Sequence, residues 1–227
     1  MEKRFDSSTS AGLTFLELIF VISIFAIMAS IVLFRFDSFN KRVSMNNLAQ
    51  DIALRIVEAQ KAAISGSLNS NSLAAGVKPT YGVYFESNSV PSSAAGSNNG
   101  QFVYFVDLNG NKQYDAPVSG CPNTSECVSI TSISTGEYLS DICYVSTNQA
   151  CASPSSSGAA HITFTRPFPD ASLTVKDGST LFPPSVTSDV FIELSSPADD
   201  TLHKTIVVTS LGQVRVYDGK ASKFGAP

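Results

Sequence analysis

The chain has little charge, few histidines and none of the common catalytic motifs. Charged residues make up 15% of its 227 residues and the formal net charge is −4, which argues against nucleic-acid binding through a broadly basic surface. No GxSxG, HExxH or P-loop sequence occurs, and neither His161 nor His203 has a nucleophile beside it in the sequence. Nothing therefore indicates an enzyme. Abundant Ser, Thr, Asn and Gly are typical instead of a β-rich extracytoplasmic domain.

The CxxC motif is also missing, which bears on how the four cysteines are used. Cys121, Cys127, Cys143 and Cys151 cluster in one part of the chain. Zinc binding is the alternative to disulfides, but the histidines are isolated and an exported chain meets an oxidising compartment. Four cysteines allow three complete pairings. We predict Cys121–Cys127 and Cys143–Cys151, because short loops close most readily; the crossed pairings stay open.

A short polar segment, residues 1–12, precedes a long apolar run. Leu13–Phe34 counts 22 residues with Glu17 as its one charge, and as a helix it would extend about 33 Å, enough for a bilayer core. A carboxylate inside such a span costs about 2.5–3.5 kcal/mol on insertion scales, so it needs a partner. If the chain is cut after Gly12, the new amine of Leu13 lies four residues before Glu17. The carboxylate can then neutralise that amine in its own chain or in a neighbour.

The helical pattern continues beyond the apolar run. Between residues 35 and 66, apolar side chains recur at spacings of three and four, as on an amphipathic helix that packs on a domain; they are Leu48, Ile52, Ile56, Ala59 and Ala63. No proline or glycine occurs from Leu13 to Ser65, and Gly66 is a plausible stop. We therefore predict one helix over 13–65, with a transmembrane half (13–34) and an amphipathic half (35–66).

Residues 67–227 change to an alternating pattern rich in Tyr, Phe, Val, Ile and Thr, which predicts half-buried strands. The candidate strands are Tyr81–Glu86, Gln101–Val106, Val128–Ile133, His161–Thr165, Ser172–Lys176, Val190–Ser195, Thr205–Ser210 and Gln213–Tyr217. Leu211-Gly212 has the form of a tight hairpin turn between the last two. The predicted fold class is α+β, with the long N-terminal helix packed on an antiparallel sheet.

The segment Ala11–Leu18, AGLTFLEL, resembles the class III prepilin signal of the type IV pilin and pseudopilin family. That resemblance implies a pilin-like fold, cleavage after Gly12, N-methylation of Leu13 and a role for the Glu17 carboxylate in assembly. It implies as partners other pilin subunits, a prepilin peptidase and methylase, an inner-membrane assembly platform, and membrane lipid before assembly. It also implies a single-pass protein of the bacterial inner membrane, with the β-rich domain extracytoplasmic, that later enters a filament.

Two further stretches, His161–Ala171 and Thr205–Gly219, are similar to the minor pseudopilin H family of type II secretion and to DNA-uptake minor pilins. We therefore expect a non-enzymatic structural subunit of a pilus or pseudopilus. The alternative is a DNA-binding minor pilin for natural transformation, whose candidate DNA contacts are Arg215, Lys204 and Lys220. The DNA-uptake motif has an arginine where this chain has Gln213.

One loop has the spacing of a calcium site. Oxygen-bearing side chains occupy alternate positions as in the first half of an EF-hand loop, which suits a cation that takes six to eight oxygen ligands; they are Asp107, Asn109, Asn111, Gln113 and Asp115. Lys112 stands where the usual glycine would be and Val118 where the bidentate glutamate would be, so another loop would have to complete the shell. The alternative is an Asx-rich turn without an ion.

Overall fold

The computed structural model describes residues 14–67, 80–88, 100–115, 121, 126–134, 136–146, 149–152, 157–177, 180–182, 187–197 and 199–221. These residues form one α-helix and eleven strands. The helix is α1, Phe15–Ser65. The strands are β1 Thr80–Asn88, β2 Gln101–Asp107, β3 Cys127–Ser132, β4 Tyr138–Ser146, β5 Gln149–Ala152, β6 Ser157–Phe164, β7 Ala171–Asp177, β8 Thr180–Phe182, β9 Thr187–Ser196, β10 Asp199–Thr209 and β11 Val214–Asp218.

Helix α1 begins and ends where the local sequence supplies caps. At its start the Thr14 hydroxyl lies 3.4 Å from the backbone N–H of Glu17, as an N-cap residue does. At its end Gly66 takes a φ of 64°, and the N–H of Ser67 donates to the carbonyl of Ala62 at 3.1 Å. This is the glycine-terminated cap that satisfies the last carbonyls of a helix, and it confirms the predicted stop at Gly66.

The strands pair into two antiparallel sheets. The first has six strands in the order β3-β2-β1-β6-β7-β8, and the second has five in the order β11-β10-β9-β4-β5. All eight predicted strands are present. β4, β5 and β8 were not predicted. The predicted turn at Leu211-Gly212 is confirmed, since β10 and β11 form a hairpin around it.

The chain divides into two compact units, Met1–Arg42 and Val43–Pro227. In the second unit, one stripe of α1 joins the inward faces of both sheets in a single apolar core. Six helix side chains in that stripe are fully buried: Met45, Ala49, Ile52, Ile56, Ala59 and Ala63. The sheets contribute the larger groups, including Phe85 and Phe164 from the first and Ile142 and Ile192 from the second.

The predicted fold class, a pilin-like α+β domain in which a half-transmembrane helix packs on one antiparallel sheet, is wrong. The described residues are mostly antiparallel β-structure, and they form two sheets because strands distant in sequence, such as β4 and β9, pair outside the first sheet. Nor does any helix in the described part of the chain combine the length and the apolar character that crossing a membrane requires. The prediction that residues 13–34 form a transmembrane half of the helix is therefore wrong for the described residues.

Candidate functional site

The loop Asp107–Asp115, called the polar loop below, folds around the carboxylate of Asp107 at the end of β2. That residue is only 1% exposed. Its Oδ1 accepts a hydrogen bond from the backbone N–H of Gly110 at 2.7 Å, and its Oδ2 accepts one from the N–H of Lys112 at 2.9 Å. Lys112 has a φ of 61°, a left-handed conformation that favours glycine. Lys112 therefore has the backbone conformation expected of the glycine it replaces in the calcium-loop pattern.

The other polar side chains of this loop bond to one another. Asn109 Oδ1 accepts from the N–H of Asn111 at 2.9 Å, and Asn111 Oδ1 accepts from the N–H of Gln113 at 2.8 Å. Both asparagine amides also donate to Asp115 Oδ2, at 2.5 and 3.0 Å. Successive Asx turns of this kind replace backbone pairing where the chain leaves a strand. All five predicted ligand residues are thus brought together in one loop.

Glu126 is a member of this cluster that sequence reasoning missed. It is 6% exposed; its Oε1 accepts from the N–H of Leu108 at 3.0 Å and its Oε2 from the N–H of Asp115 at 2.9 Å. Burial raises the pKa of Glu126; the two N–H bonds oppose that rise, and the nearby Asp115 and Asp107 carboxylates add to it. No spacing signal could have found Glu126, which follows Asp115 by eleven residues and is brought close by the fold.

The cluster offers oxygens of the kind that calcium prefers, although each carboxylate already accepts hydrogen bonds. Every carboxylate oxygen has a second lone pair, so Asp107, Asp115 and Glu126 keep some capacity for a cation. No group of three or more His, Cys, Asp or Glu among the described residues is arranged to hold a metal ion. Calcium binding therefore stays a prediction, and the described hydrogen bonds are those of an Asx-rich turn.

A disulfide lies next to this cluster. Cys121 and Cys127 are bonded, with their Cα atoms 5.4 Å apart, which confirms the predicted first pair. Cys143 is also in a disulfide, whose partner lies outside the described side chains. No free thiol is found in the described residues, so the zinc alternative has no cysteine ligand there.

The two histidines are buried on different sheets. His161 on β6 accepts the backbone N–H of Tyr114 at its Nδ1, at 2.9 Å. Burial lowers its pKa to about 4, and Lys176 contributes to the decrease. This bond fixes the polar loop to the first sheet across 47 residues of sequence.

In the fold, a serine and a carboxylate lie beside His203, although neither is its neighbour in the sequence. Its Nδ1 lies 2.8 Å from Ser195 Oγ and 3.2 Å from Glu193 Oε1, while its Nε2 lies 2.8 Å from the carbonyl of Asp200. A catalytic triad needs the serine and the carboxylate on opposite ring nitrogens. Here both share one nitrogen, and Ser195 is 4% exposed, so the cluster is a buried structural network.

The residues predicted for filament assembly lie at the start of the chain. Gly12 and Leu13 are outside the described residues. Glu17 is exposed in the first turn of α1.

The residues predicted to contact DNA lie on the β10–β11 hairpin or just after it. Lys204 is paired with Asp218, and Arg215 donates to the Gln213 side chain at 2.9 Å. A hydrogen bond with Tyr217 raises the pKa of Arg215 above its ordinary value. Lys220 is exposed after β11. Asp218 therefore offsets the charge of Lys204, whereas the side-chain partners of Arg215 are neutral; DNA contact by these residues stays a prediction.

Comparison with protein-family models, with curated proteins and with solved structures finds no match for this chain. The resemblance of residues 11–18 to the prepilin signal therefore stays a prediction.

Proposed function

We propose that this chain is a non-enzymatic structural subunit of a filament of the type IV pilus or pseudopilus class, and that it assembles through the start of α1. The observation that carries the proposal is the apolar surface of Phe15–Phe39, called the apolar stretch below. Fourteen large apolar side chains there are exposed: Phe15, Leu16, Leu18, Ile19, Phe20, Val21, Ile22, Ile24, Phe25, Ile27, Met28, Ile31, Phe36 and Phe39.

An exposed apolar surface of this size is unfavourable in water unless another molecule packs against it. Soluble monomers rarely expose a contiguous apolar patch of more than a few hundred Å². These residues occupy most positions of the helix from 15 to 28, so they lie on every side of it. Full burial of each such side chain contributes about 1.5–3 kcal/mol. Packing the apolar stretch against the same helix of neighbouring copies would supply that burial on all sides, as the core of a helical filament does.

Glu17 is the one carboxylate between residues 13 and 34 of the sequence, and it supports a defined register between copies. A charge surrounded by apolar helices is costly unless it meets an opposite charge. The resemblance to the prepilin signal supplies that charge as the amine of Leu13 after cleavage. Subunits would then stack so that each Glu17 meets an amine, and processing by a prepilin peptidase and methylase would precede assembly.

The proposal places the β-rich unit outside the cytoplasm. Disulfides such as Cys121–Cys127 persist in oxidising compartments. A single-pass stage in the inner membrane is not included, because no helix in the described ranges is long and apolar enough to cross a bilayer.

The test is incorporation of Glu17→Gln into filaments, measured by immunoblot of the sheared filament fraction against total cell protein. We expect a large loss of incorporation with unchanged total protein, because the neighbour's amine loses its partner. The matched control is Glu58→Gln, which changes an exposed carboxylate of the same helix that pairs with Arg55 at 3.0 Å. Equal incorporation of Glu17→Gln and the control would overturn the assembly role.

A further inference from the structure

A cavity of about 470 Å³ opens on the face of the six-stranded sheet that points away from the core. Side chains alternate across a strand, so Val83 and Phe85 enter the core while Tyr84 and Glu86 face the cavity. The volume is within the range of small-molecule sites, about 300–1,000 Å³.

The floor of the cavity is a row of apolar and aromatic side chains. Ile130, Val103, Tyr84 and His161 are consecutive partners across four strands. The Tyr84 ring lies 4.9 Å from the His161 ring and 5.1 Å from the ring of Tyr114, measured between centroids. Rings held in this way offer a rigid apolar surface.

The polar loop forms one wall, and it is fixed in place. Gln113, Tyr114 and Asp115 line the cavity. The backbone N–H groups of Tyr114 and Asp115 are held by His161 and Glu126, both at 2.9 Å. A wall whose backbone is already ordered loses little freedom when a ligand binds.

The end of the cavity away from the polar loop has a negative side chain, Glu86, and a positive one, Lys176. Ala159 pairs with Glu86 on one side and with Lys176 on the other, so the Cα atoms of Glu86 and Lys176 are two strand spacings apart, about 10 Å. The methyl group of Ala159 leaves space between the two longer side chains. A carboxylate and an ammonium therefore flank this end of the cavity.

The polar groups of this cavity include both donors and acceptors, among them two carboxylates and one ammonium. Because His161 Nδ1 accepts a backbone N–H, its ring is neutral and its proton is on Nε2, which makes that atom a donor. Glu86 and Asp115 accept, Lys176 donates, and the amides of Gln101 and Gln113 do both. The two carboxylates repel an anionic ligand, and the ammonium repels a cationic one. Hydroxyl groups, each both donor and acceptor, match such a lining, while the C–H face of a sugar ring matches the aromatic floor.

We propose that this cavity is a carbohydrate-binding site that takes a neutral monosaccharide or disaccharide.

The chain has two histidines, so imidazole NMR signals provide a probe inside the cavity and an internal reference outside it. His161 lines the cavity, and His203 is buried in the other sheet. The test uses the full chain, labelled at histidine, in a detergent without a sugar headgroup. Neutral mono- and disaccharides are added to about 10 mM, which nearly saturates even a millimolar site.

We expect at least one saccharide to shift the His161 signals and to leave the His203 signals in place. Glu86→Gln and Lys176→Met should each weaken that binding at least tenfold, while the matched control Lys220→Met leaves it unchanged; unmoved His203 signals show that each variant is folded. If no saccharide shifts His161, or if the cavity variants bind as well as the control, the proposal is wrong. A shift of His161 by a free amino acid or by inorganic phosphate, with none by any saccharide, would equally overturn it.

Discussion

Replacing Gly212 with alanine tests the contact between helix α1 and the β10–β11 hairpin. Gly212 has a φ of 76°, and a Cβ there would lie 2.2 Å from the carbonyl oxygen of Pro169 and 2.5 Å from Nε2 of Gln60. That Gln60 amide donates to the carbonyls of Pro169, at 2.8 Å, and Gly212, at 3.1 Å. One side chain of the helix thus holds two loops that are distant in sequence.

The expected cost has two parts. The left-handed backbone disfavours alanine by about 1–2 kcal/mol. The new methyl group must also displace the Pro169 carbonyl or the Gln60 amide, which breaks up to two hydrogen bonds worth about 0.5–1.5 kcal/mol each. We therefore expect Gly212→Ala to lower the free energy of unfolding of the β-rich unit by about 2–5 kcal/mol.

Gly110→Ala is the matched control. Gly110 has nearly the same φ, 78°, but a Cβ there meets no atom within 4 Å, so only the backbone cost of about 1–2 kcal/mol applies. The assay is urea unfolding with disulfides intact, followed by tyrosine fluorescence; the chain has no tryptophan, and its seven tyrosines lie between positions 81 and 217. An equal loss of stability in the two variants would refute the reasoning, because the contact with Pro169 and Gln60 would then contribute nothing.

Four further predictions follow from the sequence and the site. Mass spectrometry of the mature protein should find an N-terminus at Leu13 with an N-methyl group. Non-reducing peptide mapping should find Cys143 bonded to Cys151, because the chain has four cysteines and Cys121 is bonded to Cys127. If the polar loop binds calcium, the Tm should be higher with calcium than with chelator, by the equivalent of about 2.7 kcal/mol at a hundredfold excess over Kd, and Asp107→Ala should abolish the difference. The pKa of His161 falls from 6.5 in the unfolded chain to about 4 in the folded protein. Between these two pH values the unfolded chain therefore binds more protons than the folded protein. The contribution of His161 to stability is complete above pH 6.5 and is lost as the pH falls towards 4.

Each of these predictions has a contrary outcome. An intact leader in the assembled protein contradicts processing at Leu13. A crossed link to Cys121 or Cys127 contradicts the second pairing. Equal Tm values with millimolar calcium and with chelator leave the polar loop as a plain Asx-rich turn. An NMR titration in which His161 protonates near its ordinary pKa removes the pH dependence, and His161→Gln should weaken that dependence while retaining a side-chain acceptor for Tyr114.

The longest of the three strands that the sequence missed, β4, breaks the alternation of core and outward positions. In β4, Leu139 and Ile142 both enter the core although three residues separate them, because a register shift between Leu139 and Asp141 adds a residue against β9. A period of two cannot describe such a bulged strand. β5 and β8 have four and three residues, too few to show any period. The division into two sheets depends on pairing between distant strands, which local patterns do not encode.

The same contrast between local and distant contacts applies to the candidate site. Asp107, Asn109 and Asp115 were found because their spacing lies within one loop. Glu126 and His161 reach that loop through pairing of β3 with β2 and of β6 with β1. No pattern near the loop marks either of them. Their roles follow from the sheet register, which the sequence pattern did not provide.

Helix α1 is subject to two unrelated evolutionary constraints along its length. Ala49, Ala59 and Ala63 are fully buried against the sheets, and a larger side chain there would cost about 1–3 kcal/mol through overpacking. Divergence at these positions should therefore be slow and restricted to small residues, whatever covers the apolar stretch. The apolar stretch should diverge in step with the surfaces of its neighbours instead. Descendants of this chain could thus change assembly partners while the β-rich unit keeps its interior unaltered.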